Sequence, residues 1–440
     1  MNYTEWLKKK GLEYRDGRLY FAKQDTLELV KNFGSPIYVT CENMIRERYR
    51  SLKALLNKEY KKNQIHYAVK ANSNLSILKI LNSEGASFDC TSMGEVYICL
   101  KAGISSEKII YTGNMFTDID FEFAVKNNIL VNLDSISQLK RFVRIHEKLG
   151  KEKEFISFRI NPEFGAGHHK HTITAGKDIK FGILEEQATE AYRQAKEAGF
   201  KKFGIHQHIG SGVIKASDYG KPVENYIRII NKIITDLNIK FEFIDFGGGL
   251  GIPYRPEDEP LDLIQYKNLV MKPFINLIKT EGISAPAFKI EPGRYLIGET
   301  TILLTQINTI KDNGFKLFAG VNAGFNTLIR PTLYNSYHHI IPCDVKENRK
   351  TCEYDIVGPI CESGDILGRA RMLKELKEGE NLAILDGGAY GFVMSSPYNS
   401  RPRPAEVLIS KDSIYEIRRA ETLEDLLSGQ NIPEHLNKVC

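Results

Sequence analysis

The sequence predicts an α/β protein in which an N-terminal (β/α)8 TIM barrel is followed by a C-terminal all-β domain, a β-sandwich or β-barrel. Between about residues 64 and 291, eight short apolar or β-branched runs alternate with amphipathic helical stretches. Polar residues suited to chemistry stand at the carboxyl ends of several runs, where TIM barrels carry their active sites. After about residue 300, β-type runs separated by turn signals replace the helical pattern.

The eight runs have the length and the β-branched and aromatic content typical of strands. They are Ile65–Val69, Ser87–Cys90, Lys108–Tyr111, Ile129–Asn132, Phe155–Ile160, Phe203–His208, Phe241–Phe246 and Phe288–Glu291. Helical periodicity lies between them, for example over Glu95–Lys101, Ser135–Leu149, Glu186–Ala198 and Tyr226–Leu237. Eight strand–helix repeats are the number that closes a barrel of this class.

The C-terminal region and the N-terminus both carry β-hairpin signals. Asn313-Gly314 stands between two β-type runs, and Asp16-Gly17 marks a second candidate hairpin near the start of the chain. Because the N-terminal hairpin matches the later pattern, we predict a discontinuous β domain. The predicted boundaries are 37–295 for the barrel, 1–36 and 296–425 for the β domain, and 426–440 for a loose tail.

Composition narrows the class of protein. The 440 residues are enough for two domains, and 60 Lys and Arg against 55 Asp and Glu give a formal net charge of +5. This small positive net charge argues against a nucleic-acid partner and favours a small anionic ligand. Seven cysteines without a CxxC pair fit a reducing compartment, and no run is apolar enough to span a membrane. We therefore expect a cytoplasmic protein without a membrane partner.

Lys70 is the first candidate for chemistry, because it stands at the tip of the apolar run His66-Tyr67-Ala68-Val69. A lysine at the end of a buried strand has a displaced pKa and little access to water. Such an amine can act as a nucleophile that forms a Schiff base. A solvated surface lysine is the ordinary alternative, and the motifs further along the chain favour the catalytic interpretation.

Two motifs at the ends of the seventh and eighth runs suit an anionic ligand. The glycines Gly247-Gly248-Gly249 let backbone N–H groups converge on a phosphate, although a tight turn explains them equally well. The motif Glu291-Pro292-Gly293-Arg294 offers a carboxylate that can keep a heterocyclic nitrogen protonated and an arginine for phosphate or carboxylate. A type II turn beside a surface ion pair is the alternative.

Two groups of histidines allow more than one interpretation. His206 and His208 share one face of a predicted strand, so they could bind a metal as in a barrel hydrolase. Alternatively, one imidazole stacks on an aromatic cofactor while Ser211 donates to its phosphate, or the histidine is a core residue. His168, His169 and His171 lie in a Gly- and Lys-containing segment, which we interpret as a mobile loop with incidental histidines.

The predicted β domain carries its own polar motifs. Cys361 and Glu362 follow Val357–Ile360, and a cysteine can donate a proton when its neighbours set its acidity, although most cysteines fill cores. The runs Arg330–Tyr334 and Gly387–Gly391 are further polar segments that, taken alone, could be solvated turns.

Together these motifs resemble the diaminopimelate decarboxylase family, which belongs to the alanine-racemase-like pyridoxal phosphate enzymes. The resemblance covers nearly the whole chain and is carried by Tyr67–Asn72, His208–Ser211, Asp245–Gly249, Glu291–Arg294, Cys361–Asp365, Gly388–Gly391 and Asn399–Leu408. It implies pyridoxal 5′-phosphate as cofactor, a TIM barrel followed by a β domain, and a homodimer with shared active sites. It also implies removal of the carboxylate from the D-centre of meso-diaminopimelate to give L-lysine.

The resemblance also implies roles for individual residues. Lys70 is expected to hold the cofactor covalently, and Cys361 to protonate the reacting carbon from the partner chain. Cofactor contacts are expected from Asp89, His208, Ser211, Gly248, Gly249, Glu291, Pro292, Gly293, Arg294 and Tyr390. Substrate contacts are expected from Arg294, Arg330, Tyr334, Glu362 and Tyr390. Met93 and Gly212 depart from the usual family pattern without removing a group that the chemistry needs.

The charges of the substrate residues favour diaminopimelate over other amino acids. Arg330 with Tyr334 suits a distal carboxylate, and Glu362 suits a distal ammonium. A buried arginine facing an ornithine-type substrate costs on the order of several kcal/mol. The alternatives are a decarboxylase of another basic amino acid or carboxylated polyamine, an alanine-racemase-type enzyme, a metal-dependent barrel hydrolase and a silent binding protein.

Overall fold

The computed structural model describes residues 2–162, 175–176, 179–281 and 285–436. The chain divides into two compact units. One consists of residues 1–41, 301–387 and 394–440, and the other of residues 42–300 and 388–393. His168, His169 and His171, and residues 437–440 of the predicted tail, lie outside the described residues.

The unit 42–300 is a closed barrel in which eight parallel strands pair in order around the ring. The strands are Asn63–Ala68, Ser87–Cys90, Ile109–Thr112, Leu130–Leu133, Phe155–Asn161, Lys202–His206, Phe241–Asp245 and Ala287–Ile290. A short strand, Ile183–Leu184, adds to the edge of the fifth barrel strand. The predicted TIM barrel is therefore confirmed, and each predicted strand overlaps an observed one.

Helices follow the barrel strands, and their ends obey local capping rules. The helix Ile136–Leu149 begins where the Ser135 side chain accepts from the Gln138 N–H, and it ends at Gly150 in the left-handed region. The helices of this unit are Glu42–Glu59, Leu75–Ser83, Met93–Lys101, Asp118–Lys126, Ile136–Leu149, Glu185–Glu197, Gly220–Leu237, Leu263–Glu281 and Arg294–Ile297.

In the part of the chain that the structure describes, no helix has the length and apolar character needed to cross a membrane.

The other unit is built mainly from β-strands. Its small antiparallel sheet contains Leu12–Arg15, Arg18–Phe21 and Gln24–Asp25. Its larger sheet runs in the order Ile366–Lys374, Thr351–Val357, Leu317–Val321, Thr301–Asp312, Ile37–Cys41, Ala405–Ser410 and Ser413–Arg418, with Asn381–Ile384 joining Thr301–Asp312 to Ile340–Pro342. Its helices are Tyr3–Lys9, Thr26–Phe33 and Arg330–Tyr334. The predicted all-β domain thus has a mostly β structure with a few short helices.

The units differ from the predicted boundaries in three places. The strand Ile37–Cys41, predicted in the barrel, pairs with Thr301–Asp312 and Ala405–Ser410 in the β-rich unit. All five of its residues are buried, and an uninterrupted apolar strand has the same pattern in a barrel and in the centre of another sheet. Residues 296–300 and residues 388–393, both predicted in the β domain, belong with the barrel unit.

A buried ion pair ties the N-terminal helix of the β-rich unit to the loop after its strand Asn381–Ile384. Lys10 Nζ lies 2.7 Å from Asp386 Oδ1, and both side chains are almost completely buried. Removal of one member of such a pair leaves the other charge desolvated without its main counter-charge, which is costly.

We expect Lys10→Ala to lower the free energy of unfolding by about 3 kcal/mol, because Asp386 then stays buried without its ammonium partner. The thermal transition of the purified protein should fall by about 6 °C or more. Lys9→Ala, at an exposed position on the same segment, is the matched control and should leave the transition unchanged. Equal transitions for the two variants would show that the pair contributes nothing.

Candidate active site

Lys70 lies in the short turn Val69–Ala71, directly after the first barrel strand. Its Nζ is 2.6 Å from Oδ2 of Asp89, which belongs to the neighbouring second strand. Asp89 is fully buried, whereas a third of the Lys70 side-chain surface remains exposed. The amine is therefore held by a buried carboxylate on one side and remains accessible on the other.

The charges around Lys70 set its protonation state. Burial lowers the pKa of Lys70, but the carboxylate of Asp89, the hydroxyl of Tyr390 and the carboxylate of Glu291 together raise it by more, so that it lies above its ordinary value. The amine thus stays protonated at neutral pH, which differs from the ready nucleophile that the sequence predicts. It must lose a proton before it can attack an aldehyde.

Glu291 follows the eighth strand and provides a second buried carboxylate. Its Oε2 is 3.0 Å from Nε2 of His206. Burial lowers the pKa of His206 to about 4, so its ring is neutral in this contact with the Glu291 carboxyl group. Among the described residues, the buried Oε1 of Glu291 has no hydrogen-bond partner. An unsatisfied buried carboxylate oxygen is expensive, and it is suited to accept an N–H from a bound heterocycle.

Asp245 adds a third titratable group beside this pair. One ligand atom from each of His206, Asp245 and Glu291 lies within 4.8 Å of the others. Burial and the charge of Glu291 raise the pKa of Asp245 to about 8, and burial with the charge of Asp89 raises the pKa of Glu291 well above its usual range. The metal alternative paired His206 with His208, but within the described chain His208 does not belong to this group.

The glycine triplet after the seventh strand brings two backbone segments close together. Gly247 and Gly249 have φ values of 69° and 105°, which favour glycine. A Cβ on Gly248 would collide with the carbonyl oxygen of Glu291, so only glycine fits there. The Gly248 N–H donates to Nδ1 of His208 at 3.0 Å. The hydrogen of the His208 ring therefore sits on Nε2.

Arg294 contacts three other residues of the barrel unit. It lies at the start of the helix after the eighth strand. Its Nη1 donates to the hydroxyl of Tyr254 at 2.6 Å, and its Nη2 donates to Oγ of Ser211 at 3.2 Å. Its guanidinium lies 4.9 Å from the centre of the Tyr390 ring. The Tyr390 N–H in turn donates to the carbonyl of Ala71 at 2.8 Å, which brings this loop beside the Lys70 turn.

Three of the predicted substrate residues, Arg330, Tyr334 and Glu362, lie in the β-rich unit, whereas Arg294 and Tyr390 lie in the barrel unit. The helix that begins at Arg330 contacts the loop after Cys361, because Thr332 Oγ1 donates to the carbonyl of Gly364 at 2.9 Å. Arg330 is only 1% exposed, and its Nη1 lies 2.9 Å from Nε2 of His338. Cys361 and Glu362 are exposed, and Glu362 accepts from the Tyr398 hydroxyl at 2.6 Å.

Two residues of the barrel site were missed by sequence reasoning. Arg159 is buried on the fifth strand, and burial holds its pKa below the ordinary value although the charges of Glu291, Asp134 and Asp89 oppose this effect. The alternation of Ser157, Arg159 and Asn161 along a predicted strand was the available signal. Tyr254 has no comparable signal, since it lies in an irregular segment after the glycines.

Comparisons with known proteins agree with this geometry. Residues 42–298 match the family model of the pyridoxal-dependent decarboxylase, pyridoxal binding domain. The diaminopimelate decarboxylase of Methanothermobacter thermautotrophicus is 45% identical over 422 residues, which covers 96% of this chain and 97% of that protein. The chain belongs to the diaminopimelate decarboxylase family. This membership decides against the barrel hydrolase as the class of enzyme, and it confirms the predicted family and the predicted pyridoxal phosphate cofactor.

Solved structures of the diaminopimelate decarboxylase family share the fold over more than nine-tenths of the chain. The crystal structure from M. jannaschii superposes with a TM-score of 0.90 at 33% identity and covers 97% of this chain and 99% of that one. The Helicobacter pylori enzyme, crystallised with L-lysine, has a TM-score of 0.84 at 35% identity over 91% of this chain and 98% of that one. The fold prediction is confirmed by these similarities as well as by the strand order.

The barrel residues fit each part of pyridoxal phosphate. Lys70 supplies an amine for its aldehyde, and the unpartnered Oε1 of Glu291 suits its ring nitrogen. The glycine turn beside the hydroxyl of Ser211 and the guanidinium of Arg294 offers a cradle of donors for the phosphate. These groups all lie at the carboxyl ends of barrel strands, where this fold places its sites.

We expect Asp89→Asn to lower the pKa of Lys70 by about one unit or more, because the nearest charge that holds the ammonium is lost. The measurement is the pH dependence of Lys70 labelling by trinitrobenzenesulfonate in protein freed of its cofactor, read by peptide mass spectrometry. Asp118→Asn, at a half-exposed carboxylate of the same unit, is the control. A labelling midpoint that is unchanged in Asp89→Asn would contradict the assigned role of Asp89.

Proposed function

We propose that this protein decarboxylates meso-2,6-diaminopimelate to L-lysine and carbon dioxide with pyridoxal phosphate, the last step of lysine biosynthesis. The observation that carries the proposal is the grouping of an amine, a buried carboxylate oxygen without a partner, and an arginine beside a glycine turn at one barrel end. The L-lysine complex of the H. pylori relative supports the choice of product.

We assign the cofactor residues from this grouping. Lys70 would hold the cofactor covalently, and Glu291 would accept the ring N–H. His208, held by the Gly248 N–H, would stack on the ring. When bound, pyridoxal phosphate supplies an electron-poor ring that accepts the electron pair left behind by the departing carboxylate.

The phosphate of the cofactor would lie where the donors converge. Ser211 and Arg294 supply a hydroxyl and a guanidinium that already contact each other at 3.2 Å. Gly248 and Gly249 allow close approach of the backbone, and a Cβ on Gly249 would lie 2.9 Å from the carbonyl of Gly210. Pro292 and Gly293 would also border the phosphate, since the Ala68 N–H donates to the Pro292 carbonyl. Tyr390 would contact both cofactor and substrate.

The distal end of the substrate would be bound by groups of both signs. We propose that Arg330, with Tyr334, pairs with the distal carboxylate and that Glu362 pairs with the distal ammonium. Support comes from the contact that brings the Arg330 helix to the Glu362 loop. A substrate whose distal end carries only an ammonium would bring a positive charge toward the buried guanidinium, which favours diaminopimelate over ornithine. Arg294 and Tyr390 would contact the substrate from the barrel unit.

We further propose a homodimer in which Cys361 of one protomer protonates the reacting carbon in the site of the other. The exposure of Cys361 and Glu362 supports this assignment, because both side chains are available to a second copy. The lack of a CxxC pair among seven cysteines supports a reducing, cytoplasmic location.

The purified, cofactor-loaded protein should release carbon dioxide from meso-diaminopimelate with formation of lysine, and release little from L-ornithine or L-arginine. Lys70→Ala should lose turnover by at least about a thousand-fold, and with it the visible absorbance of the attached cofactor, because the covalent link is absent. Lys79→Ala, at an exposed lysine of the barrel unit, should keep both properties.

Turnover of Lys70→Ala at the wild-type rate would refute the assignment of this residue. Faster release of carbon dioxide from ornithine than from diaminopimelate would instead support a decarboxylase of another basic amino acid. The coupled readout of lysine formation and cofactor absorbance separates loss of chemistry from loss of the cofactor.

Shared active sites predict complementation between two inactive variants. Lys70→Ala and Cys361→Ala remove groups from different protomers of each site, so a hybrid dimer keeps one intact site and one doubly damaged site. A hybrid purified through two different affinity tags should therefore recover about half of the wild-type activity. Co-expression of Lys70→Ala with the double variant should recover none, and sedimentation should report a dimer. Inactive hybrids would show that each site is completed within one chain.

A further inference from the structure

A cavity of about 740 Å³ lies in the barrel unit at the end opposite the site described above. Its lining includes Gln64, Leu130, Phe155 and Ala287, which stand at or near the amino ends of four barrel strands. The proposed catalytic residues follow the carboxyl ends of the strands instead. The cavity is therefore separate from the cofactor residues, and nothing in the proposed reaction uses it.

The walls of this cavity are mainly apolar and partly aromatic. Phe142, Phe155 and Phe243 line it together with Leu130 and Ala287. The rings of Phe155 and Phe243 are stacked with their centres 5.7 Å apart. Such walls are typical of pockets that bind small organic molecules, provided that a few polar groups fix the orientation of the ligand.

Lys289 is the most unusual residue of the lining. The residue is only 6% exposed, and its Nζ lies 3.6 Å from the centre of the Phe243 ring. Among the described residues, Lys289 forms no hydrogen bond or ion pair, and its charge is offset only at a distance by Asp245 and Glu291. Burial lowers the pKa of Lys289 to about 8, so the amine is still mostly protonated at neutral pH. A buried ammonium without a close counter-ion is costly.

His146 is a second buried polar group of the lining. The residue is 8% exposed, and the polar groups nearest its ring are those of the Lys151 and Glu152 backbone. Its ring packs edge-on against Phe142, with the centres 4.7 Å apart. Burial lowers the pKa of His146, so the neutral ring offers one N–H donor and one acceptor. The buried Lys289 ammonium, with the His146 ring in the same lining, points to a ligand that carries acceptor oxygens.

The acidic residues of the cavity lie at its exposed rim. The carboxylates are those of Glu107, Glu152, Glu154 and Glu242, and all four residues are exposed. Glu152 and Glu154 already pair with Lys201 at 3.1 Å and with Lys202 at 2.7 Å. Lys151 adds a positive charge to the rim. Exposed rim charges are screened by salt, whereas the buried Lys289 is screened much less, so the inner charge dominates the choice of ligand.

We propose that this cavity binds a small monocarboxylate with an aromatic body. The carboxylate would pair with Lys289, the ring would pack along Phe142, Phe155 and Phe243, and His146 would supply a further hydrogen bond. A dicarboxylate fits less well, because its second charge would face the acidic rim. This site goes beyond the decarboxylation reaction and does not depend on the proposed function.

The test titrates 3-phenylpropionate into the cofactor-loaded wild-type protein by isothermal calorimetry, with saturating L-lysine present to occupy the proposed active site. Saturable binding is expected, and the uncharged isostere 3-phenylpropanamide should bind about ten-fold more weakly or worse, since it cannot form the charged contact with Lys289. Equal affinities for acid and amide, or the absence of saturable binding of the acid at millimolar concentration, would overturn the proposal.

Variants then locate the bound acid. Lys289→Met keeps the length of the side chain without its charge and should weaken binding of the acid by about ten-fold or more, without weakening binding of the amide. Lys202→Met, at an exposed lysine near the rim, is the matched control and should change the affinity less than two-fold. Unchanged affinity in a folded Lys289→Met protein would overturn the proposal. If that variant does not fold, the comparison of acid and amide binding to the wild-type protein still tests whether the ligand carboxylate makes a charged contact.

Discussion

The contact between Lys70 and Asp89 is the interaction on which the rest of the site depends. It joins the ends of the first two barrel strands at 2.6 Å and buries a carboxylate completely while leaving the amine accessible. The same carboxylate raises the pKa of Lys70 and of Glu291. A single buried charge therefore contributes to the protonation of the amine and, together with burial, to the raised pKa of the neighbouring acid.

Closure of the barrel turns these separate contacts into one site. Parallel strands that close in a ring place all their carboxyl ends at the same edge, so Glu291 from the last strand stands beside residues of the first. The backbone supports this arrangement, since the Ala68 N–H donates to the Pro292 carbonyl and the Glu291 N–H donates to the Gly247 carbonyl. The glycines are needed because these segments approach too closely for a side chain between them.

The barrel interior carries charge from one end to the other. Asp245 and Glu291 raise the pKa of Lys289 against the effect of burial, and Lys289 in turn lowers the pKa of both acids. One end of the barrel thus presents carboxylates and an amine to the family cofactor, while the other presents an ammonium and an imidazole to a largely apolar cavity. A ligand at either end would meet a field that is partly set by the residues of the other.

The sequence by itself determined the barrel and the strand-end positions of Lys70, Glu291 and Arg294, because strand periodicity and these positions are local properties of the chain. The sequence could not predict which sheet the strand Ile37–Cys41 joins, since a fully buried strand has the same residue pattern in either sheet. Only the tertiary structure decided the protonation of Lys70, the burial of Arg159 and the isolation of Lys289. Each of these depends on the distance to charges that are remote in sequence, and those distances exist only once the barrel has closed.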